Sequence, residues 1–220
     1  NAMIAIGELE AAIGLLEREI IPPIDREKQR NLWVRATQML ANAYFLAGLY
    51  QDALEFNERT VAEANKISDQ MTKVERQIDA MSLHGLILQK IGRYKEAVKD
   101  FRDGIAMAQK YNRKGQIAMV YSNYGYLARD YGAVDQSIEF FNASLKIDEE
   151  LKSRKYIASD NRNLGLSIII KGDYNRARDL LNDALKTSEE LHLTYNAAYC
   201  YFGLGDMALR ERKWPEAEAN

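Results

Sequence analysis

One turn recurs along this chain at a nearly fixed interval. Gly48-Leu49-Tyr50-x-x-Ala53, Gly92-Arg93-Tyr94-x-x-Ala97, Gly132-Ala133-Val134-x-x-Ser137 and Gly172-Asp173-Tyr174-x-x-Ala177 are four versions of it, with glycines 44, 40 and 40 residues apart. Arg212-Lys213-Trp214-x-x-Ala217 follows 40 residues later without the glycine, and Gly7-Glu8-Leu9-x-x-Ala12 stands 41 residues before Gly48. Such a period marks a stacked repeat, in which each unit is too small to bury its apolar faces alone and leans on the next. With a turn already at Gly7, the chain is expected to enter in mid-repeat.

A second marker lies seven residues before each turn: Ala41, Gly85, Gly125, Gly165 and Gly205. Small residues recur where two helices must approach closely. Around the marker the apolar residues fall at helical spacing, as in Tyr121, Tyr124 and Ala128. Only 3 Pro and 13 Gly interrupt 220 residues that are 47% hydrophobic and 28% charged, so an all-helical chain with a substantial core is expected. The pattern predicts helices over 8–21, 25–47, 50–66, 69–91, 94–110, 114–131, 134–151, 154–171, 174–191, 194–211 and from 213 onward. Pro22-Pro23 separates the first two, and Ser68-Asp69, Asn112, Ser153 and Thr194 stand where a side chain can cap the following helix.

These residues carry a family resemblance. Tyr201-x-x-Leu204-Gly205-x-x-Ala208, Asn161-x-x-Leu164-Gly165-x-x-Ile168 and Ala97-x-x-x-Phe101 resemble the tetratricopeptide pattern W-x-x-L-G-x-x-Y followed by A-x-x-x-F. The resemblance spans nearly the whole chain and implies an all-α fold, a right-handed α-solenoid of antiparallel helix hairpins over residues 3–220, with turns near 7, 48, 92, 132, 172 and 212. Two departures stand out. The period is 40 rather than 34, and the closing proline is replaced by Asn65, Gln109, Glu149 and Glu189. That longer form is similar to the repeats of bacterial peptide-sensing and LuxR-type regulators, of kinesin light chains and of eukaryotic polarity adaptors, all binding modules.

In such a stack the first helix of each hairpin lines one face, and a stripe along it reads Arg35, Gln38, Asn42, Phe45; Asp79, Ser82, Leu86, Gln89; Met119, Ser122, Tyr126, Arg129; Ser159, Arg162, Leu166, Ile169; Tyr199, Phe202, Asp206, Leu209. Its N-terminal part is polar and its C-terminal part apolar, which suits an amphipathic peptide or protein segment. The resemblance implies that asparagines here clasp a peptide main chain while a cation meets a carboxylate. The expected contact residues are Gln38, Asn42, Asn123, Tyr126, Arg129, Arg162, Asn163, Leu166, Ile169, Tyr199 and Phe202. Asparagine offers both a donor and an acceptor for that purpose. A sensor or dimerisation segment of a bacterial signalling or transcription regulator is the alternative reading.

Catalytic signatures do not emerge from the residues. His84 and His192 lie about 108 residues apart and form no helical metal pair, and Cys200 has no adjacent base or cation to favour its thiolate. Gly203-x-Gly205-x-x-Ala208 sits inside a predicted helix, where a dinucleotide fingerprint cannot function, and Asn142-Ala143-Ser144 falls in mid-helix. Neither an enzyme activity nor a metal or cofactor is expected. With a formal net charge of -2, charges of both signs intermixed and no apolar run long enough for a span, direct nucleic-acid or membrane binding is not expected either. The lone cysteine fits a cytoplasmic setting. Asn1-Ala2 before Met3 look like a tag remnant, the rest like part of a longer chain, and the apolar first helix (Ile4, Ile6, Leu9, Ile13, Leu16, Ile20) like a surface for a homodimer.

Overall fold

The computed structural model describes residues 2–211, with side chains from residue 7 onward. Among these residues every regular element is helical: α1 (Ala2–Leu15), running into a short π-helical segment (Leu16–Ile20), then α2 (Arg30–Leu46), α3 (Tyr50–Ala64), α4 (Gln70–Lys90), α5 (Tyr94–Lys110), α6 (Lys114–Asp130), α7 (Val134–Glu150), α8 (Arg154–Lys171), α9 (Tyr174–Glu190) and α10 (Thr194–Arg210). The repeat turns at Gly48, Gly92, Gly132 and Gly172 therefore join helices into hairpins, and the turn expected near residue 212 lies outside the described residues. Gly7 is different. It sits inside α1 rather than in a turn, and left-handed φ angles begin only at Gly48. The short apolar stretch after it favours continuing the helix, and a glycine without a following helix break has no need of the left-handed region.

Chain contacts divide the molecule into two compact units, residues 1–116 and 117–220. In unit 1, Ile13 and Leu16 are buried with Leu40, Ala41, Tyr44, Leu83 and Ile87. The apolar face of α1 is thus partly covered by α2 and α4, contrary to the expectation of a bare first helix; Ile4 and Ile6 lie outside the described side chains. The second helix begins at Arg30, not at 25. Asp25 holds a turn there by accepting from the backbone of Glu27 and Lys28, both at 3.0 Å, and Arg26 ties the segment to buried Glu63 of α3.

The small-residue marker has a direct steric cause. A Cβ placed on Gly85 would stand 2.7 Å from the ring of Phe101, one on Gly125 2.7 Å from Phe141, and one on Gly165 2.8 Å from Leu181. Each of these bulky partners is fully buried on the second helix of the same hairpin. Asn57, at the same register of the first complete hairpin, is smaller, and its counterpart there is Ala41. In unit 2 the core runs through Ile168, Ile169, Ala177, Leu181, Cys200, Leu204 and Met207.

Of the expected caps, Asp69 accepts from the Thr72 amide at 2.7 Å, whereas Ser153 caps without a side-chain bond. Leu193, not Thr194, occupies the cap of α10. Asn112 ends α5 instead of starting α6. It takes a left-handed φ of 52°, as do Lys152 (55°) and His192 (54°) at the corresponding places 40 and 80 residues on. There the next amide reaches back five residues, as in Ser153 N–H to the Asp148 carbonyl at 2.9 Å, closing the helix end in the manner of a Schellman motif.

Candidate functional site

The expected contact residues fall in both units. Gln38, half-buried, and Asn42, exposed, belong to α2 in unit 1, beside an exposed apolar row of Leu32, Met39 and Leu46 on the same helix. The other nine lie in unit 2, on α6, α8 and α10, whose outward faces adjoin one another.

A polar network ties α6 to α8. The Tyr126 hydroxyl donates to the Asn163 carboxamide oxygen at 2.9 Å and accepts from the Arg162 Nη2 at 2.6 Å. Arg162 also donates to that carboxamide oxygen through Nη2 at 2.8 Å and Nε at 3.2 Å. From α6, Arg129 reaches the Asn163 main-chain carbonyl at 3.4 Å and lies over the rings of Tyr126 and Phe141, at 5.2 and 5.7 Å. Burial lowers the basicity of its guanidinium.

α10 supplies an aromatic shelf. Tyr195 and Tyr199 sit one turn apart with ring centroids at 4.8 Å, and the Arg162 guanidinium lies 5.5 Å from the Tyr199 ring and 6.0 Å from that of Tyr195, within cation–π range. Burial, then the Tyr199 hydroxyl, push the Tyr195 phenol up to about 12, so it stays neutral and able to donate near pH 7. Phe202, one turn on, is 66% exposed, and Tyr199 42%. Exposed Ile170 and Leu209 extend this apolar surface on α8 and α10.

Burial changes the role of three residues. Asn163 is 1% exposed and its oxygen is engaged by Tyr126 and Arg162, so it orients these side chains from behind rather than presenting itself on the surface. Its Nδ2 has no partner. Ile169 is 3% exposed and packs in the core with Ile168 and Leu181, because at that point α8 turns toward α9 and not outward. Arg162 is 5% exposed, its guanidinium held by Tyr126 and Asn163, while on Arg129 the Tyr126 ring and the Asp130 carboxylate work against the effect of burial. Half-buried Leu166 leans on α10 in the recess left by Gly203, where a Cβ would stand 2.8 Å away. Asn123 is half-buried on α6.

Tyr195 was not among the residues the pattern singled out. Extending the α10 stripe one turn upstream from Tyr199 finds it, since i and i+4 share a helix face. No group of three or more metal-ligating side chains occurs among the described residues. None of the described helices is long and apolar enough to cross a membrane.

Two stretches match family models described as tetratricopeptide repeat, residues 78–111 and 171–219. No curated protein matches the sequence. Among solved structures, BtubC (BKLC) from P. vanneervenii superposes with a TM-score of 0.71 at 16% identity, over 97% of this chain and 85% of that one. A Podosopora anserina structure described by its kinesin light chain nearly identical TPR-like repeats superposes with a TM-score of 0.57 at 18% identity, over 84% of this chain and 93% of that one. The fold and its hairpin register define a helical-repeat scaffold. Over those two stretches the chain carries repeats of the tetratricopeptide superfamily. Repeats of this superfamily serve protein–protein interaction, which makes a scaffold role the general expectation for this chain as well.

Proposed function

We propose that the chain holds a peptide or protein segment against the first helices of its hairpins, and that in unit 2 the contact surface is the Arg129–Tyr126–Arg162 network with the α10 shelf of Tyr195, Tyr199 and Phe202. The observation that supports this reading most directly is the pairing of an uncovered aromatic row with two guanidinium groups held in place by aromatic rings and the Asn163 carboxamide. Exposed Tyr and Phe contribute large contact area at low entropic cost, and guanidinium groups held by aromatic faces and a carboxamide are pre-positioned for an oxyanion. A segment with an aromatic or aliphatic anchor next to an acidic side chain complements both parts. In unit 1, taken by itself, Gln38 and Asn42 are the residues proposed for polar contacts.

Selection of a displayed peptide library on the immobilised chain tests this. The expected result is enrichment of sequences combining an apolar anchor with Asp or Glu, and a loss of affinity of about tenfold or more in the Tyr199→Ala/Phe202→Ala double variant with an unchanged melting temperature. Arg162→Lys is expected to weaken binding while keeping the charge, because an ammonium cannot span Tyr126 and Asn163 together. Enriched peptides that bind the double variant as tightly as the native chain would place the contact elsewhere.

A further inference from the structure

We infer that Asp148 and Asp160 form a proton-binding site in unit 2, whose shared proton keeps the junction between α7 and α8 closed and whose loss loosens it. Asp148 lies in the last turn of α7 and Asp160 in the second turn of α8; they are 4% and 2% exposed, and their side chains hydrogen-bond to each other. Two carboxylates at hydrogen-bonding distance inside a protein cannot both be ionised without large repulsion, so one of them carries a proton and donates it.

The surroundings offer little to stabilise a second negative charge. α6 presents the Ser122 hydroxyl and the Ala118 carbonyl, α7 presents Ser144 besides Asp148, and no Lys, Arg or His is among the leading influences on either carboxyl. Ser144 has one hydroxyl proton, and it goes to the Ala118 carbonyl at 3.0 Å, which leaves Ser122 as the hydroxyl free to serve an ionised Asp160. One oxygen of Asp160 has no partner at all. Burial, the leading cause in both, pushes Asp148 up to about 6 and Asp160 up to about 7. The pair therefore changes its proton occupancy across the neutral range.

The repeat itself does not require charge here. Forty residues earlier the corresponding residues are Ala108 and Val120, and forty later Ser188 and Cys200, all buried and all uncharged at neutral pH. An acidic pair placed in one repeat alone is a local device. Asp160 precedes Arg162 and Asn163 by two and three residues on α8, so loosening this turn moves the side chains of the contact surface. That consequence rests on the proposed function; the proton site does not.

Denaturant unfolding of the whole chain from pH 4 to 8.5, read by hydrogen exchange in α7 and α8, tests the site. The unfolding equilibrium constant of this region is expected to rise about tenfold or more between pH 5 and 8, and Asp160→Asn, which keeps a permanent donor toward Asp148, is expected to flatten the rise to less than about threefold. Infrared spectra of the native chain give a second readout that needs no variant: a protonated-carboxyl stretch present at pH 5 and gone by pH 8. A flat native profile, or a profile that Asp160→Asn leaves unchanged, overturns the inference. The Tyr199→Ala/Phe202→Ala variant keeps the pH profile whatever its effect on peptide binding, so failure of one idea leaves the other standing.

Discussion

Lys152 shows what the forty-residue pattern conceals. The first turn of each hairpin advertises itself with a glycine because a left-handed φ near 80° is nearly free for a residue without Cβ. The second turn has the same handedness but is filled by Asn112, Lys152 and His192. Of these only asparagine is at ease there, and a lysine costs about 1 kcal/mol against glycine. Lys152→Gly is accordingly expected to stabilise the chain by about 1 kcal/mol in urea unfolding, with Asn112→Gly changing little. The marker glycines are the reverse case, legible in the sequence as small residues but not as partners of particular rings. Gly125→Ala is expected to cost about 1–3 kcal/mol because its methyl would meet Phe141 at 2.7 Å, and Phe141→Leu in the same chain should recover part of that loss in a double-mutant cycle. Asn163 was readable as a polar residue on the contact stripe. Its burial was not, since that depends on Tyr126 and Arg162 closing over it from two helices.

At the level of the element, the single irregular spacing in the repeat has a simple origin. α4 has 21 residues against 17 in α6 and α10, one additional turn, and it is added at the N-terminal end, where Gln70 meets the Tyr111 hydroxyl at 3.2 Å. The glycine interval of 44 rather than 40 thus comes from the four extra residues of α4, because the α3–α4 connection is two residues longer than its counterparts and α3 two residues shorter. That extra turn is held by its cap: Asp69→Ala should lose about 1 kcal/mol and fray residues 70–73 first, seen as faster amide exchange there than in the rest of α4. Among the described residues helix existence and hairpin pairing were legible from Gly48 onward because the apolar period and the turn glycines agree, while the helix expected from 213 lies outside them. Helix starts were less so. The start of α2 moved from 25 to 30 because Asp25 prefers to close a turn on Glu27 and Lys28, a competition between side chain and helix that hydrophobic periodicity does not register.

For the whole molecule, the two units carry buried carboxyl groups whose responses to pH have opposite sign. In unit 1, Glu63 is 1% exposed and held by Lys66, Arg26 and Arg30, and the Lys66 hydrogen bond leads in lowering its pKa below the ordinary 4.5. A lowered value means stability that is complete above about pH 4.5 and is lost as the pH falls through the folded pKa. Asp79 in the same unit is pushed up by burial, with Arg76 at 3.1 Å working against the shift, so it offsets part of that acid response. In unit 2 the Asp148–Asp160 pair is raised from 3.8 to about 6 and about 7, so its contribution is complete below about pH 4 and is lost as the pH rises to about 7. Hydrogen exchange corrected for intrinsic rates should therefore show protection in unit 2 falling between pH 5 and 8 while unit 1 holds steady, and unit 1 weakening below pH 4.5 where unit 2 gains. Glu63→Gln is expected to remove the acid loss in unit 1 and to leave the neutral-range loss in unit 2 untouched. A single common profile for both units, unchanged by either Glu63→Gln or Asp160→Asn, would mean that these buried carboxyls do not set the pH response.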